Sequence, residues 1–144
     1  MKLTSPAFTH GGKIPVKYTC DGDDVNPPLR ISDPPEGVKS YAMIVDDPDA
    51  PMGTWVHWVV WNMPRELMDV HEKEALGVSG TNDFKKPGYG GPCPPPGPSH
   101  TYRFKLYALD AMLELNKGAT KQELEQAMEG HILAQAELDG EYQR

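Results

Sequence analysis

Proline and glycine divide this chain into short segments, and that division most constrains its fold. The sequence holds 15 prolines and 14 glycines among 144 residues. Proline removes a backbone donor and glycine favours turns, so little of the chain is left for helices. Apolar residues make up only 38% of the total, but they fall into dense runs of strand length, which is typical of a packed core. We therefore predict a mainly β fold, and the length fits a single domain over residues 1–144.

Several segments carry strand patterns. Residues 14–19 and 134–142 alternate between apolar and polar or acidic side chains, the period typical of half-buried strands. Pro15 indicates an edge position for the first of them. Residues 40–45 form an unbroken apolar run between turn residues, which predicts a central strand. Residues 102–109 alternate as well and predict a further strand with one apolar face.

The segment 54–63 carries bulky side chains on both faces. We therefore predict a strand that is covered on both sides. In regular alternation, Trp55, His57, Val59 and Trp61 would share one face of this strand.

Residues 120–129 are the one segment that predicts a helix. Thr120 and Glu123 form a capping box, and apolar residues follow at spacings of three and four. Gly130 is placed to end the helix.

A long segment from Gly77 to Ser99 has no periodic apolar pattern and contains the run Pro94 to Pro96. Proline fixes the backbone and lowers the entropy lost on ordering, so we predict a rigid, shaped loop. Glycines at positions 88, 90 and 91 would let backbone amides approach a ligand closely.

The charge balance and the two cysteines limit the partners and the compartment. The net charge is -7, which disfavours nucleic acid and anionic membranes as partners. No apolar run is long enough to span a bilayer and no leader pattern is seen, so we predict a cytoplasmic protein. In a reducing compartment Cys20 and Cys93 are free thiols by default, although a bridge between them stays open. Neither reactivity at Cys93 nor a zinc site is expected.

Ionisable residues stand at the ends of predicted strands. Asp46, Asp47 and Asp49 follow the first central strand, and His57 lies within the next. We expect Asp46 to cap a turn, and Asp47 to take part in a site. His100 and Tyr102 share one face of a later strand. If these strands are neighbours, the side chains would line one small pocket, roofed by Gly91 and Pro92.

Four motifs give this arrangement a family context. They are Asp47-Pro-Asp-Ala-Pro51, Trp55-Val-His-Trp58, Gly91-Pro92 and His100-Thr-Tyr102. With these motifs the chain resembles the phosphatidylethanolamine-binding protein family, in particular its short bacterial and archaeal branch, often described as Raf-kinase-inhibitor-like. The resemblance implies an antiparallel Greek-key β-sandwich with a small anion site near the surface. It implies ligand-binding roles for Asp47, His57, His100, Tyr102, Gly91 and Pro92, with Asp49, Pro51 and Trp55 as supporting residues.

The chain departs from the family pattern at two points. The usual His-Arg-Tyr reads His100-Thr101-Tyr102, and the nearest arginine, Arg103, would lie on the opposite face of a regular strand. The sequence also stops without the additional C-terminal helix of longer eukaryotic relatives. The gating and kinase-partner functions of those relatives are therefore not expected to carry over.

Three classes of function follow from these observations. The leading one is a non-catalytic module that binds phosphate or a phosphorylated headgroup, with no metal and no cofactor. The second is an inhibitor of a protein kinase or protease that acts through the proline-rich loop. The third is a hydrolase that uses two histidines and a carboxylate, either around a metal or as an acid and base. A homodimer also stays open, because a β-sheet would leave an edge to cover.

Overall fold

The computed structural model describes residues 1–74 and 76–144. Within these ranges the chain is mainly β, as predicted, with one α-helix, α1, and one short 3-10 helix. The strands are β1 (Lys2–Thr4), β2 (Gly12–Lys13), β3 (Leu29–Ser32), β4 (Ser40–Asp47), β5 (Trp55–Pro64), β6 (Asp69–Val70), β7 (Val78–Ser79), β8 (His100–Leu109) and β9 (Ile132–Tyr142); α1 spans Lys121–Met128 and the 3-10 helix Val16–Tyr18.

The strands form two sheets. One has three strands in the order β1-β3-β6, and the other has six in the order β2-β9-β8-β4-β5-β7. Neighbouring strands are antiparallel except β2 and β9, which are parallel. The long strands β4 and β8 lie in the middle of the larger sheet, which agrees with their apolar sequences. The Greek-key sandwich implied by the resemblance stays a prediction.

The central strands of the larger sheet, β4 and β5, are buried on both faces. On one side, Leu3 and Ile31 of the small sheet pack in one cluster with Met43 and Phe104. On the other side, Ile44, Val59 and Trp61 pack in a second cluster with Leu124 and Met128 of α1. Because apolar layers cover both faces, successive residues of β4 and β5 are apolar although they point to opposite sides of the sheet.

The helix begins and ends where the sequence predicts. The Thr120 side chain accepts a hydrogen bond from the Glu123 N–H, and the Glu123 side chain accepts one from the Thr120 N–H. Gly130 follows the helix with φ 79°, a left-handed conformation that ends helices. No helix within the described ranges is long and apolar enough to cross a membrane.

The predicted strand over residues 14–19 is wrong. The Tyr18 N–H donates to the Pro15 carbonyl at 3.1 Å, and the Thr19 N–H donates to the Val16 carbonyl at 3.0 Å, so the segment closes into a 3-10 turn. Ile14 and Tyr18 are buried, but Val16 is 45% exposed. Local i to i+3 bonds replace sheet pairing here, and Pro15 has no N–H with which to join a ladder.

A β-bulge changes the predicted facing of β5. Val45 pairs with Trp58 and Asp46 pairs with Val56, so His57 is the extra residue of the bulge. After the bulge, Val59 lies under α1, not on the His57 face. The expectation that Val59 and Trp61 share a face with His57 is therefore wrong, because the bulge turns the imidazole toward Tyr102.

The default expectation of two free thiols is also wrong, because Cys20 and Cys93 form the disulfide that the sequence left open. Their Cα atoms are 5.4 Å apart across 73 residues of sequence. Beside the bridge, the Cys20 N–H donates to the Pro92 carbonyl at 3.1 Å. The bridge thus ties the proline-rich loop to the segment after the 3-10 helix.

Candidate functional site

The pairing of β4 with both β5 and β8 brings the predicted site residues to one end of the larger sheet. Asp47 at the end of β4 pairs with Trp55 at the start of β5. In β8, Arg103 pairs with Asp46, so His100 and Tyr102 lie at the same end. Asp47, His57, His100 and Tyr102 line one pocket of about 230 Å³.

Asp47 and His100 form a buried pair on the floor of this pocket. The His100 Nδ1 and the Asp47 Oδ2 are 2.7 Å apart, with side-chain exposures of 8% and 4%. The other Asp47 oxygen accepts the Asp49 N–H at 2.7 Å. Asp49 lies outside the lining, and its carboxylate accepts the Thr101 N–H at 2.8 Å, which fastens the turn to β8. Asp49 thus supports the site from the turn.

His57 is held by the backbone of Gly90. Its Nδ1–H donates to the Gly90 carbonyl at 2.7 Å, and the Gly90 N–H donates to the His57 carbonyl at 2.8 Å. Because a carbonyl can only accept, the hydrogen of the neutral ring lies on Nδ1. Burial lowers the pKa of His57 below its ordinary value, against the opposing effects of Gly90, Asp47, Gly91 and Asp24. The neutral ring therefore offers its Nε2 lone pair to the pocket.

Tyr102 supplies a hydroxyl to the same pocket. The oxygen is buried, and it has no hydrogen-bond partner within the described part of the chain. Burial, and after it the negative charge of the Asp47 carboxylate, which lies near the hydroxyl but outside hydrogen-bonding geometry, raises the pKa of Tyr102 far above its ordinary value, so the group stays a neutral donor. The ring lies 5.1 Å edge-on from His57 and 6.5 Å stacked from His100, between centroids. Such an unpaired buried donor is costly unless a ligand accepts from it.

The rim of the pocket is apolar. Phe84 lies edge-on to Trp55 at 5.6 Å and to His57 at 5.4 Å, between ring centroids. Sequence reasoning missed Phe84 because it lies in the loop without periodicity; its one signal was an isolated aromatic residue among glycines and prolines. Trp55 and Pro51 also line the pocket, and their supporting role stays a prediction. The other rim residues are Ala50, Met52, Phe84, Cys93, Pro94 and Pro95.

Gly91 and Pro92 do not line the pocket. The Gly91 N–H donates to the Asp24 carboxylate at 2.7 Å, and a Cβ at this position would collide with the Tyr18 backbone. The Pro92 carbonyl accepts from Cys20. Gly91 and Pro92 therefore join the loop beside the pocket to the segment that contains Tyr18, Cys20 and Asp24. Their predicted role as ligand-binding roof residues stays a prediction.

Asp46 has a different role from the predicted turn cap. Its side chain is fully buried and its oxygens lie 2.8 Å from Arg103 Nε, 2.8 Å from Lys105 Nζ and 2.9 Å from Lys121 Nζ. Arg103 therefore points away from the pocket, as the alternation of β8 predicts. The pocket holds no arginine within the residues that line it.

The fold and the site together define a two-sheet β protein with a pocket of buried histidine, aspartate and tyrosine at one end of its larger sheet. The family model described as phosphatidylethanolamine-binding protein matches residues 4–143. The chain belongs to the phosphatidylethanolamine-binding protein family.

The relatives and the solved structures agree with this assignment. The chain is 50% identical to a UPF0098 protein of Pyrococcus abyssi, over 100% of this chain and 86% of the relative. It is 48% identical to a UPF0098 protein of Aquifex aeolicus, over 100% of this chain and 89% of the relative. A putative phosphatidylethanolamine-binding protein homologue, CT736 of Chlamydia trachomatis, is 44% identical with a TM-score of 0.95, over 99% and 97% of the two chains. YbcL of E. coli, described as a new member of the mammalian PEBP family, is 30% identical with a TM-score of 0.91, over 99% and 98%.

Proposed function

We propose that this protein binds a small oxyanion, such as phosphate or a phosphorylated headgroup, and acts as a regulatory, non-catalytic binding protein. One observation carries the proposal: both imidazoles use Nδ1 within the protein, and the buried Tyr102 hydroxyl is unpaired beside them. The Nε2 atoms of His57 and His100 and the Tyr102 O–H are therefore left for a ligand. Three such groups suit the several oxygens of a tetrahedral anion.

The Asp47 carboxylate supports this proposal, although it is itself negative. It accepts the Nδ1–H of His100 at 2.7 Å, which orients that ring and leaves its Nε2 for a ligand. The apolar rim lowers the local dielectric constant and so strengthens polar contacts inside the pocket. Family membership agrees with a ligand site of this kind.

Titration with inorganic phosphate, followed by NMR of the histidine side chains, tests the proposal. We expect the ring signals of His57 and His100 to shift and saturate together, because both rings line the pocket. His131 is the matched control, since its side chain is 46% exposed and paired with Asp110; its signals should not move. Rings of His57 and His100 that ignore phosphate would overturn the proposal.

The affinity for phosphate should depend on pH. Burial keeps the pKa of His57 below its ordinary value in the free protein. An oxyanion can meet the His57 Nε2 only through a proton, carried either by the ring or by the anion, so protonation favours binding. We therefore expect affinity to fall by about tenfold or more as the pH rises from about 5.5 to about 8. Calorimetry in buffers of different ionisation enthalpy would count the protons. Affinity that rises with pH would contradict this sign.

The inhibitor function is a second candidate, because the proline-rich loop is exposed and firmly held. Residues 95–99 are exposed, while the disulfide at Cys93 and hydrogen bonds from Gln143 and Arg144 fix the loop backbone. A rigid exposed loop is suited to a groove in a kinase or protease. Inhibition that is lost with Pro95→Ala and Pro96→Ala but kept with His57→Ala would favour this function.

The remaining expectations stay proposals. Within the described residues, no group of three or more histidine, cysteine, aspartate or glutamate side chains could hold a metal ion for a hydrolase. A hydrolase that uses these residues as acid and base stays a proposal. A homodimer could use β9, whose pairing with β2 covers only Gly140 and Glu141. The disulfide counts against the proposed cytoplasmic location, because reducing compartments disfavour such bonds. Intracellular proteins of hyperthermophiles are an exception to this rule.

A further inference from the structure

The hydrogen-bond roles inside the pocket restrict the chemistry of its ligand. His57 is 3% exposed, and its Nδ1–H is committed to the Gly90 carbonyl at 2.7 Å. The Gly91 N–H, which lies in the same peptide plane as this carbonyl, donates to the Asp24 carboxylate at 2.7 Å and holds the carbonyl toward the ring. As long as the ring is neutral, Nε2 is an acceptor.

The surroundings of the ring keep it in that state near neutral pH. The ionisable groups that face it are Asp47 from β4, Asp24 from the loop before β3, and His100 and Tyr102 from β8. Both carboxylates favour the charged ring, but burial outweighs them and lowers the pKa of His57. Phe84 closes the remaining side of the ring and brings no charge.

From this geometry we propose that the pocket selects an oxyanion that itself carries a proton, such as a phosphate or phosphonate monoanion, and rejects fully deprotonated anions of the same shape. The proposal rests on the proposed oxyanion function and names its ligand class. The P–O–H of the ligand donates to His57 Nε2, and an unprotonated oxygen accepts from the Tyr102 O–H. A sulfonate oxygen would instead place its lone pairs against that of Nε2, with no hydrogen between them.

Methylphosphonate and methanesulfonate form a matched pair of probes. Both are mainly monoanions of one shape near neutral pH, and they differ in the one hydrogen that the phosphonate carries. At about pH 7 we expect methylphosphonate to bind about 10- to 100-fold more tightly, the usual effect of one buried unpaired polar group. At about pH 5 the ratio should shrink, because a charged His57 donates to either anion.

Two further measurements make the test independent of any single variant. The nitrogen chemical shifts of His57 in the unaltered protein should show Nδ1 protonated and Nε2 unprotonated at about pH 7. In His57→Gln, the side-chain amide can either donate or accept, so the preference for methylphosphonate should fall to about threefold or less.

The outcomes separate this inference from the proposed function. Equal affinities for the two probes, tighter binding of methanesulfonate, or a hydrogen on Nε2 would overturn the inference and leave oxyanion binding standing. A failure of methylphosphonate to bind to protein that binds inorganic phosphate would overturn it as well. If inorganic phosphate does not bind, the proposed function itself fails.

Discussion

Replacing both cysteines, Cys20→Ser together with Cys93→Ser, is expected to lower the free energy of unfolding by about 4 kcal/mol. The bridge spans 73 residues, and loop-closure entropy for that length gives a value near this figure. For a chain of 144 residues such a loss corresponds to a melting temperature about 10 to 15 °C lower. Chemical denaturation followed by tryptophan fluorescence would measure the change.

The reduced wild-type protein provides the control for this double variant. Reduction breaks the same bond without changing any side-chain skeleton, so both proteins should lose similar stability. A loss below about 1 kcal/mol in both would mean that the unfolded chain gains little freedom when the bridge is opened, contrary to the entropy argument. Because Cys93 lines the pocket, reduction should also weaken phosphate binding.

Asp46→Asn is expected to destabilise the protein by about 3 to 5 kcal/mol, the usual cost of removing one member of a buried charge network. Asparagine keeps the shape of the side chain, so the loss reports the charge. Without the carboxylate, Arg103, Lys105 and Lys121 would converge on a neutral group and repel one another. Urea denaturation of both proteins at neutral pH would measure the difference.

The pH dependence of this difference identifies its cause. Burial alone would raise the pKa of Asp46, but hydrogen bonds from Lys105, Arg103 and Lys121 outweigh burial and lower it below its ordinary value. A carboxyl whose pKa is lower in the folded than in the unfolded state stabilises the protein at pH values above its unfolded-state pKa. This stabilisation is lost as the pH falls through the folded-state pKa. The difference between wild type and Asp46→Asn should therefore stay constant at neutral pH and shrink in acid.

Asp110→Asn offers a matched control. Asp110 also pairs with a basic side chain, His131, at 2.8 Å, but the two side chains are 44% and 46% exposed. Exposed pairs contribute less than about 1 kcal/mol. Equal losses in Asp46→Asn and Asp110→Asn would show that burial of Asp46 does not amplify the interaction.

Local periodicity was enough to predict the elements that pack against their neighbours regularly. β4, β8 and β9 follow the pattern of their apolar residues, and α1 follows its capping box. The segment 14–19 failed because its alternation coincides with a 3-10 turn, whose hydrogen bonds lie within the segment. The order of apolar and polar side chains does not show which carbonyls accept hydrogen bonds from the backbone N–H groups.

The site was predicted in part, for a related reason. Asp47, His57, His100 and Tyr102 were identified from motifs, and the pairing of β4 with β5 and β8 brings them together. The bond between His57 and the Gly90 carbonyl could not be foreseen, since it joins a strand to a loop without periodicity. The disulfide is only an open alternative to two free thiols in the sequence, because the default thiol state rests on an assumed compartment, whereas the bond depends on the distance between two loops.

The bulge in β5 has an evolutionary consequence. Val45 pairs with Trp58 and Asp46 with Val56, so deletion of the single codon for His57 would leave every other residue of β5 opposite its present β4 partner, and only the two bonds to Gly90 would be lost. His57 is therefore equivalent to a one-residue insertion in β5. Descendants of a common ancestor could gain or lose this functional group by an indel without re-evolving the hydrophobic interior.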